Sequence, residues 1–243
     1  MTVPGWDEAY AASVPAPWDI GRPQPAFVRL AEQGLLSGRV LDSGCGTGEQ
    51  TLLAAAHGAD AMGVDVSGRA IRRAIQKAAE RGLRARFEVA DALRLPDLDL
   101  TFDTIIDSGV FHVFDDANRA RYVASLASVL RPGGYCYLMC FSDRQPGTSG
   151  PRRVRQDELR AAFAHGWTIA SIEAAAFELD RAGPSSAQAW LAVIQRSLGD
   201  GGRAPSCLAP ARVSTTRWSG RRSFRAASRR RSAGRCRRDA GPR

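Results

Sequence analysis

The chain has 243 residues, of which 44% are hydrophobic, so it is long enough to bury the core of one sizeable α/β domain. Of its 34 basic and 25 acidic residues, 13 arginines and two aspartates lie in residues 197–243, which leaves 21 basic and 23 acidic residues elsewhere. This near-neutral body argues against a broadly basic nucleic-acid-binding surface, and no apolar run is long enough to predict a membrane span.

Residues 1–23 are rich in Pro, Trp and Gly, which predicts an arm that contains neither a strand nor a helix. Residues 1–10 lack the basic and apolar regions of a signal peptide, and the five cysteines lack the spacing of metal ligands. We therefore expect a cytoplasmic protein with reduced thiols and no metal. Pro25 is suited to the first turn of a helix and predicts one over residues 25–36.

The most informative segment is residues 40–49, VLDSGCGTGE. Its apolar start and Asp42 predict the end of a buried strand, and the glycines at 44, 46 and 48 lead into a predicted helix that ends at Gly58. Glycine permits positive φ and lets a ligand lie against the backbone, so this turn predicts a nucleotide-type pocket at the C-terminal edge of a sheet. A tight turn without a ligand is the alternative.

The spacing of the glycines disfavours a pyrophosphate ligand. A dinucleotide site would have the pattern Gly-x-Gly-x-x-Gly, but Glu49 occupies the third glycine position. A phosphate-binding loop would place a lysine directly after its last glycine. The only lysine, Lys77, is far away in the sequence.

Residues 61–65 predict a second short strand that ends in Asp65. An acid at this position can accept hydrogen bonds from both hydroxyls of a ribose, whereas the alternative is that Asp65 caps the next helix. Ser67 is better placed as that cap. The helix then runs to Gly82, and its predicted apolar stripe consists of Ile71, Ala74, Ile75 and Ala78.

The remaining pattern continues to alternate between strand and helix. Strands are predicted over 86–92 and 101–107, a helix over 116–130 with Tyr122, Leu126, Val129 and Leu130 inward, and a turn at 130–134 into a strand over 135–141. A helix over 155–164 and strands over 167–179 and 187–195 follow. This order predicts an α/β, doubly wound, mostly parallel sheet with helices on both faces.

These elements together resemble the class I S-adenosylmethionine-dependent methyltransferases. The resemblance rests on the acid before Gly-x-Gly-x-Gly, the acids that end the second and third strands, and the Arg-Pro-Gly-Gly turn at 131–134. It implies a seven-stranded sheet with an antiparallel last strand, which residues 189–194 match. It also implies an N-terminal lid arm over 1–23 and a methyltransferase domain over 24–196. The resemblance gives nothing beyond about residue 196, and composition alone separates an Arg-rich tail over 197–243.

The resemblance further implies S-adenosylmethionine as the cofactor. Asp42 would support its methionine end, Asp65 would bind the ribose, and Asp91 would meet the adenine amino group, although Asp91 can equally be an ordinary loop acid. The implied cofactor-binding residues are Trp18, Asp42, Gly44, Cys45, Gly46, Gly48, Asp65, Val66, Asp91, Ala92 and Asp107.

In this family the acceptor usually faces the loop after the fourth strand, here residues 107–114. His112 is the candidate general base in that loop, because the pKa of histidine suits the deprotonation of a hydroxyl or thiol. The alternative is that His112 stacks on the adenine or packs against the sheet without titrating. The loop lacks the Asn/Asp-Pro-Pro-Tyr and Pro-Cys motifs of nucleic-acid methyltransferases.

The arm carries a second resemblance, through residues 6–10 (WDEAY) and 17–25 (PWDIGRPQP). Both resemble the arm of the thiopurine, thiol and halide methyltransferases and of bacterial enzymes that act on small phenolic or heterocyclic compounds. In those enzymes the arm folds over the cofactor, so Trp18 would cover the site; alternatively, Trp6 and Trp18 only fasten the arm to the domain.

We therefore predict a monomeric enzyme that methylates an O, S or N atom of a small molecule and binds neither a specific nucleic acid nor a membrane. A nucleic-acid methyltransferase tethered by the tail and a non-catalytic protein that retains the fold are the alternatives. The composition of residues 197–243 predicts disorder. A nonspecific electrostatic role, and an origin by a change of reading frame, are other interpretations of this tail.

Overall fold

A computed structural model of the chain describes residues 5–12, 15–179 and 185–198. The predicted tail therefore lies outside the described residues, except for Ser197 and Leu198. None of the helices within these ranges is both long and apolar enough to cross a membrane.

Seven strands form one sheet in the order β3-β2-β1-β4-β5-β7-β6. Strands β1 to β5 are parallel to one another, whereas β7 lies antiparallel between β5 and β6. The predicted fold class, including the antiparallel last strand, is confirmed. The strands are β1 Arg39–Ser43, β2 Asp60–Asp65, β3 Arg86–Val89, β4 Phe102–Ser108, β5 Leu130–Phe141, β6 Trp167–Leu179 and β7 Ser185–Arg196.

Helices cover both faces of the sheet. Successive strand residues point to opposite sides, so the apolar residues of each strand are buried against helices on both faces. Val40 packs in one buried cluster with Phe27 of the second helix, and Leu41 packs in the other with Tyr122 of the fifth. The helices are α1 Trp6–Ala9, α2 Pro25–Glu32, α3 Glu49–Ala56, α4 Gly68–Arg81, α5 Asp116–Val129 and α6 Gln156–Ala162, with 3-10 segments at Ala92–Leu98 and Phe111–Val113.

Two expectations for the N-terminal region are wrong. The arm contains the short helix α1, although its composition predicted no helix. Helix α2 ends at Glu32 and not at residue 36, because Gly34 adopts a positive φ of 72° that a right-handed helix cannot include.

The prediction for α4 is confirmed at both ends and wrong at one apolar position. The Ser67 side chain accepts a hydrogen bond from the Ala70 N–H, and Gly82 ends the helix with φ 63°. Ile71, Ala74 and Ala78 are buried, but Ile75 is 50% exposed. The buried stripe therefore follows the spacing i, i+3, i+7, and the residue after Ala74 is rotated out of it.

The turn predicted at 130–134 is part of β5. Leu130 pairs with Phe102 and Tyr135 pairs with Thr104, so four residues of β5 lie opposite one residue of β4. Gly133 in this bulge has φ 80°. The bulge explains why the segment resembles a turn in sequence and yet continues the strand.

Candidate active site

The glycine loop after β1 requires its three glycines for three different contacts. Gly44, Gly46 and Gly48 all have positive φ, of 69°, 53° and 86°. A Cβ atom on Gly44 would lie 2.1 Å from a Val110 methyl, and one on Gly46 would lie 2.7 Å from the Tyr10 hydroxyl. At Gly48 it would meet the Ala74 Cβ at 2.9 Å. The loop therefore touches the segment after β4, the arm and α4.

Asp65 at the end of β2 is connected directly to this loop. Its Oδ2 accepts a hydrogen bond from the Gly46 N–H at 2.9 Å, and its Oδ1 accepts one from the Ser67 N–H at 2.8 Å. Each oxygen retains a further lone pair. Burial raises the pKa of this carboxyl. Asp65 thus has capacity for a further donor at the strand tip, where the sequence predicts a ribose.

Asp42 lies in the interior at the base of the glycine loop. Its Oδ2 accepts hydrogen bonds from the Thr51 N–H at 3.0 Å and from the Thr51 hydroxyl at 2.7 Å. Its Oδ1 is buried and has no hydrogen-bond partner among the described residues. Burial raises the pKa of Asp42 to about 7. A buried acceptor without a donor is costly, so this oxygen marks a position suited to a cationic or hydrogen-bonding ligand.

Asp107 is a second fully buried carboxyl, on the adjacent strand β4. It accepts hydrogen bonds from the Val110 N–H at 2.7 Å and the Phe111 N–H at 3.1 Å, which shape the loop after β4. Burial raises its pKa to about 7. The charge of Asp107 also contributes to the raised pKa of Asp42.

The other predicted cofactor-binding residues surround the same strand tips. Cys45 is buried, and its N–H donates to the Val64 carbonyl at 2.8 Å. Val66 is 42% exposed directly after Asp65, and Ala92 is buried. Asp91 accepts a hydrogen bond from the Leu93 N–H at 2.9 Å and so caps a 3-10 segment. Their cofactor contacts stay predictions.

His112 is buried, and its ring is fixed by the strand beside it. Its Nδ1 accepts a hydrogen bond from the Phe141 N–H at 2.9 Å, so the proton of the neutral ring is on Nε2. The ring packs edge-on against Phe141 and tilted against Phe177. Burial, and secondarily the cations Arg119 and Arg153, lower the pKa of His112 to about 3. The general-base role stays a prediction, and this tautomer counts against it because Nδ1 is already in use.

The arm contributes Tyr10, a residue that the sequence did not assign to the site. Tyr10 is buried against Gly46, and its hydroxyl accepts a hydrogen bond from the Trp18 Nε1–H at 3.1 Å. Trp18 itself is 43% exposed and packs edge-on against Trp6. Tyr10 lies within the arm segment, residues 6–10, that resembles small-molecule methyltransferases. That resemblance could have placed Tyr10 at the site from the sequence.

Both ends of the arm are fastened to the domain. At one end, Asp7 accepts hydrogen bonds from the Ser67 hydroxyl at 2.8 Å and the Arg69 N–H at 3.0 Å. At the other end, the Gln24 side-chain amide donates to the Glu178 carbonyl at 2.9 Å and accepts from the Glu178 N–H at 2.8 Å. The arm therefore reaches from the start of α4 to the edge strand β6.

A polar network fastens the middle of the arm to the glycine loop. The Thr47 hydroxyl donates to Asp19 at 2.8 Å, and Lys77 donates to the Thr47 hydroxyl at 2.6 Å and to Glu49 at 2.8 Å. Arg81 adds two hydrogen bonds to Glu49. Lys77 is thus next to the loop, although it is distant in sequence, and it is engaged by protein groups.

Comparisons with known proteins show the family of the chain. Residues 40–134 match a methyltransferase domain family. The chain is 39% identical over 162 residues to the 2-heptyl-1-hydroxyquinolin-4(1H)-one methyltransferase of Mycobacteroides abscessus, an alignment that covers 65% of this chain and 71% of that protein. It is 28% identical over 156 residues to a probable thiol methyltransferase of Arabidopsis thaliana, covering 63% and 69% of the two chains.

The chain is also similar to a solved structure from work on the conversion of a disulfide bond into a thioacetal group during echinomycin biosynthesis. The two chains superpose with a TM-score of 0.75 and are 36% identical. The match covers 82% of this chain and 94% of that one. The chain belongs to the class I S-adenosylmethionine-dependent methyltransferases. It is a methyltransferase that uses S-adenosylmethionine as its cofactor.

Proposed function

We propose that the chain methylates an O, S or N atom of a small aromatic or heterocyclic molecule. The observation that carries this proposal is the arm, which is fastened at both ends across the tips of the strands, places Tyr10 against the glycine loop and packs Trp18 on Tyr10. A cover of this kind suits a small acceptor that must be enclosed and leaves little room for a polymer.

The residues of the site fit the cofactor. Asp42 presents an unpartnered buried oxygen at the base of the glycine loop, and Asp65 retains lone pairs at the tip of β2. Buried carboxylates favour a cation, and S-adenosylmethionine carries a sulfonium. When bound, this cofactor supplies an electrophilic methyl group.

The contribution of the protein is to bind, to orient and to exclude water. Tyr10 and Trp18 would close the site over the glycine loop, and the loop over 107–114 would position the acceptor. Orientation of two reactants alone can lower a barrier by about 7–11 kcal/mol. The proposal therefore requires neither a metal nor a catalytic triad.

The names of the relatives support a narrower class of acceptor. One relative acts on a hydroxyquinolinone and another is a probable thiol methyltransferase. We propose hydroxylated N-heterocycles, phenols and thiols as the first acceptors to test. No comparison supports a nucleic-acid substrate or a non-catalytic role.

A screen of purified full-length protein with S-adenosylmethionine tests the proposal. Release of S-adenosylhomocysteine should depend on a phenol, N-hydroxy heterocycle, thiol or N-heterocycle, and mass spectrometry should show one added methyl group on that acceptor. A folded preparation that binds neither S-adenosylmethionine nor S-adenosylhomocysteine at millimolar concentration in calorimetry would contradict it.

A further inference from the structure

His112 has one ring nitrogen that can donate a hydrogen bond beside the loop after β4. Its Nδ1 is occupied by the Phe141 N–H, which leaves Nε2–H as its free polar group. Nε2 lies 3.3 Å from the position of a Cβ on Gly109, and the adjacent residue Val110 packs on Gly44 of the glycine loop. Nε2–H thus lies next to Gly109 in the loop after β4, where the proposed function places the acceptor.

Two cations act on the same ring. Arg119 of α5 lies over the Phe111 ring, and its Nη2 is buried with no partner among the described residues. Arg153 lies over the Phe141 ring at 5.5 Å, and the hydrogen bonds described for it go to backbone carbonyls. Both add positive potential around His112.

The acids near this region are engaged elsewhere. Asp107 accepts from the backbone of its own loop, Glu158 pairs with Arg119 and Arg152, and Glu178 pairs with Arg22. None of the hydrogen bonds and ion pairs described for these three acids involves His112. The surroundings therefore favour an anion over a neutral acceptor that must lose a proton there.

We propose that the acceptor binds with its nucleophilic O or S atom already ionised, and that His112 donates a hydrogen bond from Nε2–H to this anion. The acceptor class is then an acidic phenol, an N-hydroxy heterocycle or a thiol. This inference rests on the proposed function. The lone pair of the anion forms the new bond to the methyl carbon while the C–S bond breaks and its electron pair stays on sulfur, so no proton has to be accepted by the protein.

The pH dependence of kcat/KM separates this inference from base catalysis. In a series of substituted phenols, the midpoint should move with the pKa of each free phenol. A general base would give the same midpoint for every acceptor. A constant midpoint would overturn the inference while leaving methyl transfer intact, whereas the absence of any product would instead count against the proposed function.

A second readout needs no turnover. We expect 4-nitrophenol, followed by its visible absorbance in the presence of S-adenosylhomocysteine, to bind as the phenolate with a pKa below that of the free compound. Arg153→Gln should reduce this shift, and Arg29→Gln, at an exposed position of α2, should not. Absence of binding, or an unshifted pKa, would contradict the proposal.

Two substitutions separate the role of His112 Nδ1 as an acceptor from the role of Nε2–H as a donor. His112→Asn keeps an acceptor for the Phe141 N–H but loses the Nε2 donor, whereas His112→Gln keeps a donor near the Nε2 position. Loss of a hydrogen bond to a charged group corresponds to roughly 10- to 100-fold. His112→Asn should weaken 4-nitrophenolate binding by about this factor and by more than His112→Gln does. Weaker binding by His112→Gln than by His112→Asn would overturn the donor role of Nε2. A nitrogen NMR spectrum of the wild type that shows the proton on Nδ1 would also overturn it, without any variant.

Discussion

At the scale of single residues, Asp65 is the most direct test of the cofactor site. Asp65→Ala removes a carboxylate proposed to accept hydrogen bonds from the ribose, each worth about 1.5–3 kcal/mol for a charged acceptor. We expect affinity for S-adenosylhomocysteine to fall at least tenfold in calorimetry. Asp60→Ala, at the exposed opposite end of β2, should leave it unchanged; equal affinity of the Asp65 variant and the wild type would refute the ribose role.

The buried carboxyl Asp42 makes cofactor binding depend on pH. Its pKa is raised to about 7, so it is largely protonated below that pH and must release its proton to face a cation. Affinity for S-adenosylmethionine should therefore fall as the pH falls through about 7, by up to roughly tenfold per pH unit. Calorimetry across this range should give a flatter profile for Asp42→Asn, and an identical slope would argue against the assignment.

The same carboxyl affects the stability of the protein without ligand. In the unfolded chain, Asp42 loses its proton near the ordinary pKa of 3.8. In the folded chain, Asp42 stays protonated up to a pH of about 7, because burial raises its pKa. Between these values the native state binds more protons, so the free energy of unfolding should decrease as the pH rises. Thermal unfolding should show this decline, and Asp42→Asn should reduce it.

At the scale of elements, the glycine loop depends on its conformation and on its contact with the arm. Gly46→Ala would strain a positive φ by about 1–2 kcal/mol and would also press against the Tyr10 hydroxyl. Gly58→Ala is a matched control, because Gly58 has φ 89° but open space around its Cβ position. Both variants should lose stability in thermal unfolding, Gly46→Ala by more because of the contact with Tyr10, but only Gly46→Ala should lose affinity for S-adenosylhomocysteine.

The arm is expected to control the release of the cofactor. Asp7→Ala removes its hydrogen bonds to Ser67 and Arg69, whereas Glu8→Ala changes an exposed neighbour in the same short helix. We expect S-adenosylhomocysteine to dissociate several-fold faster from the Asp7 variant, with little change in Tm, because the contact fastens a lid and not the core. Stopped-flow fluorescence measures this rate; equal rates for both variants would show that the arm is held by its other contacts.

At the scale of the whole molecule, residues 1–196 are nearly neutral in charge, which predicts that methyl transfer does not need the Arg-rich tail. A chain that ends after Leu198 should keep full activity on small acceptors, since β7 and its contacts are retained. If the chain were a tethered nucleic-acid methyltransferase, the same truncation would abolish binding to RNA or DNA. A salt-dependent binding assay on both chains distinguishes these outcomes.

Much of the fold followed from local pattern. Alternating strands and helices, the Ser67 cap and the Gly82 stop depend on neighbours in sequence, and the structure confirms them. Ile75 and the bulge in β5 were not predictable in this way, because helix rotation against the sheet and the register between β4 and β5 are decided by distant residues.

By itself, the sequence determined that the glycines, Asp42 and Asp65 meet at the C-terminal edge of a mostly parallel sheet, since each directly follows or ends a strand. Only the tertiary structure decided that Tyr10 rests on Gly46, that Lys77 joins the loop it is remote from in sequence, and that Phe141 occupies Nδ1 of His112. The physical reason is that a strand end is fixed by the local backbone, whereas the protonation and partners of a side chain are set by groups that only folding brings near it.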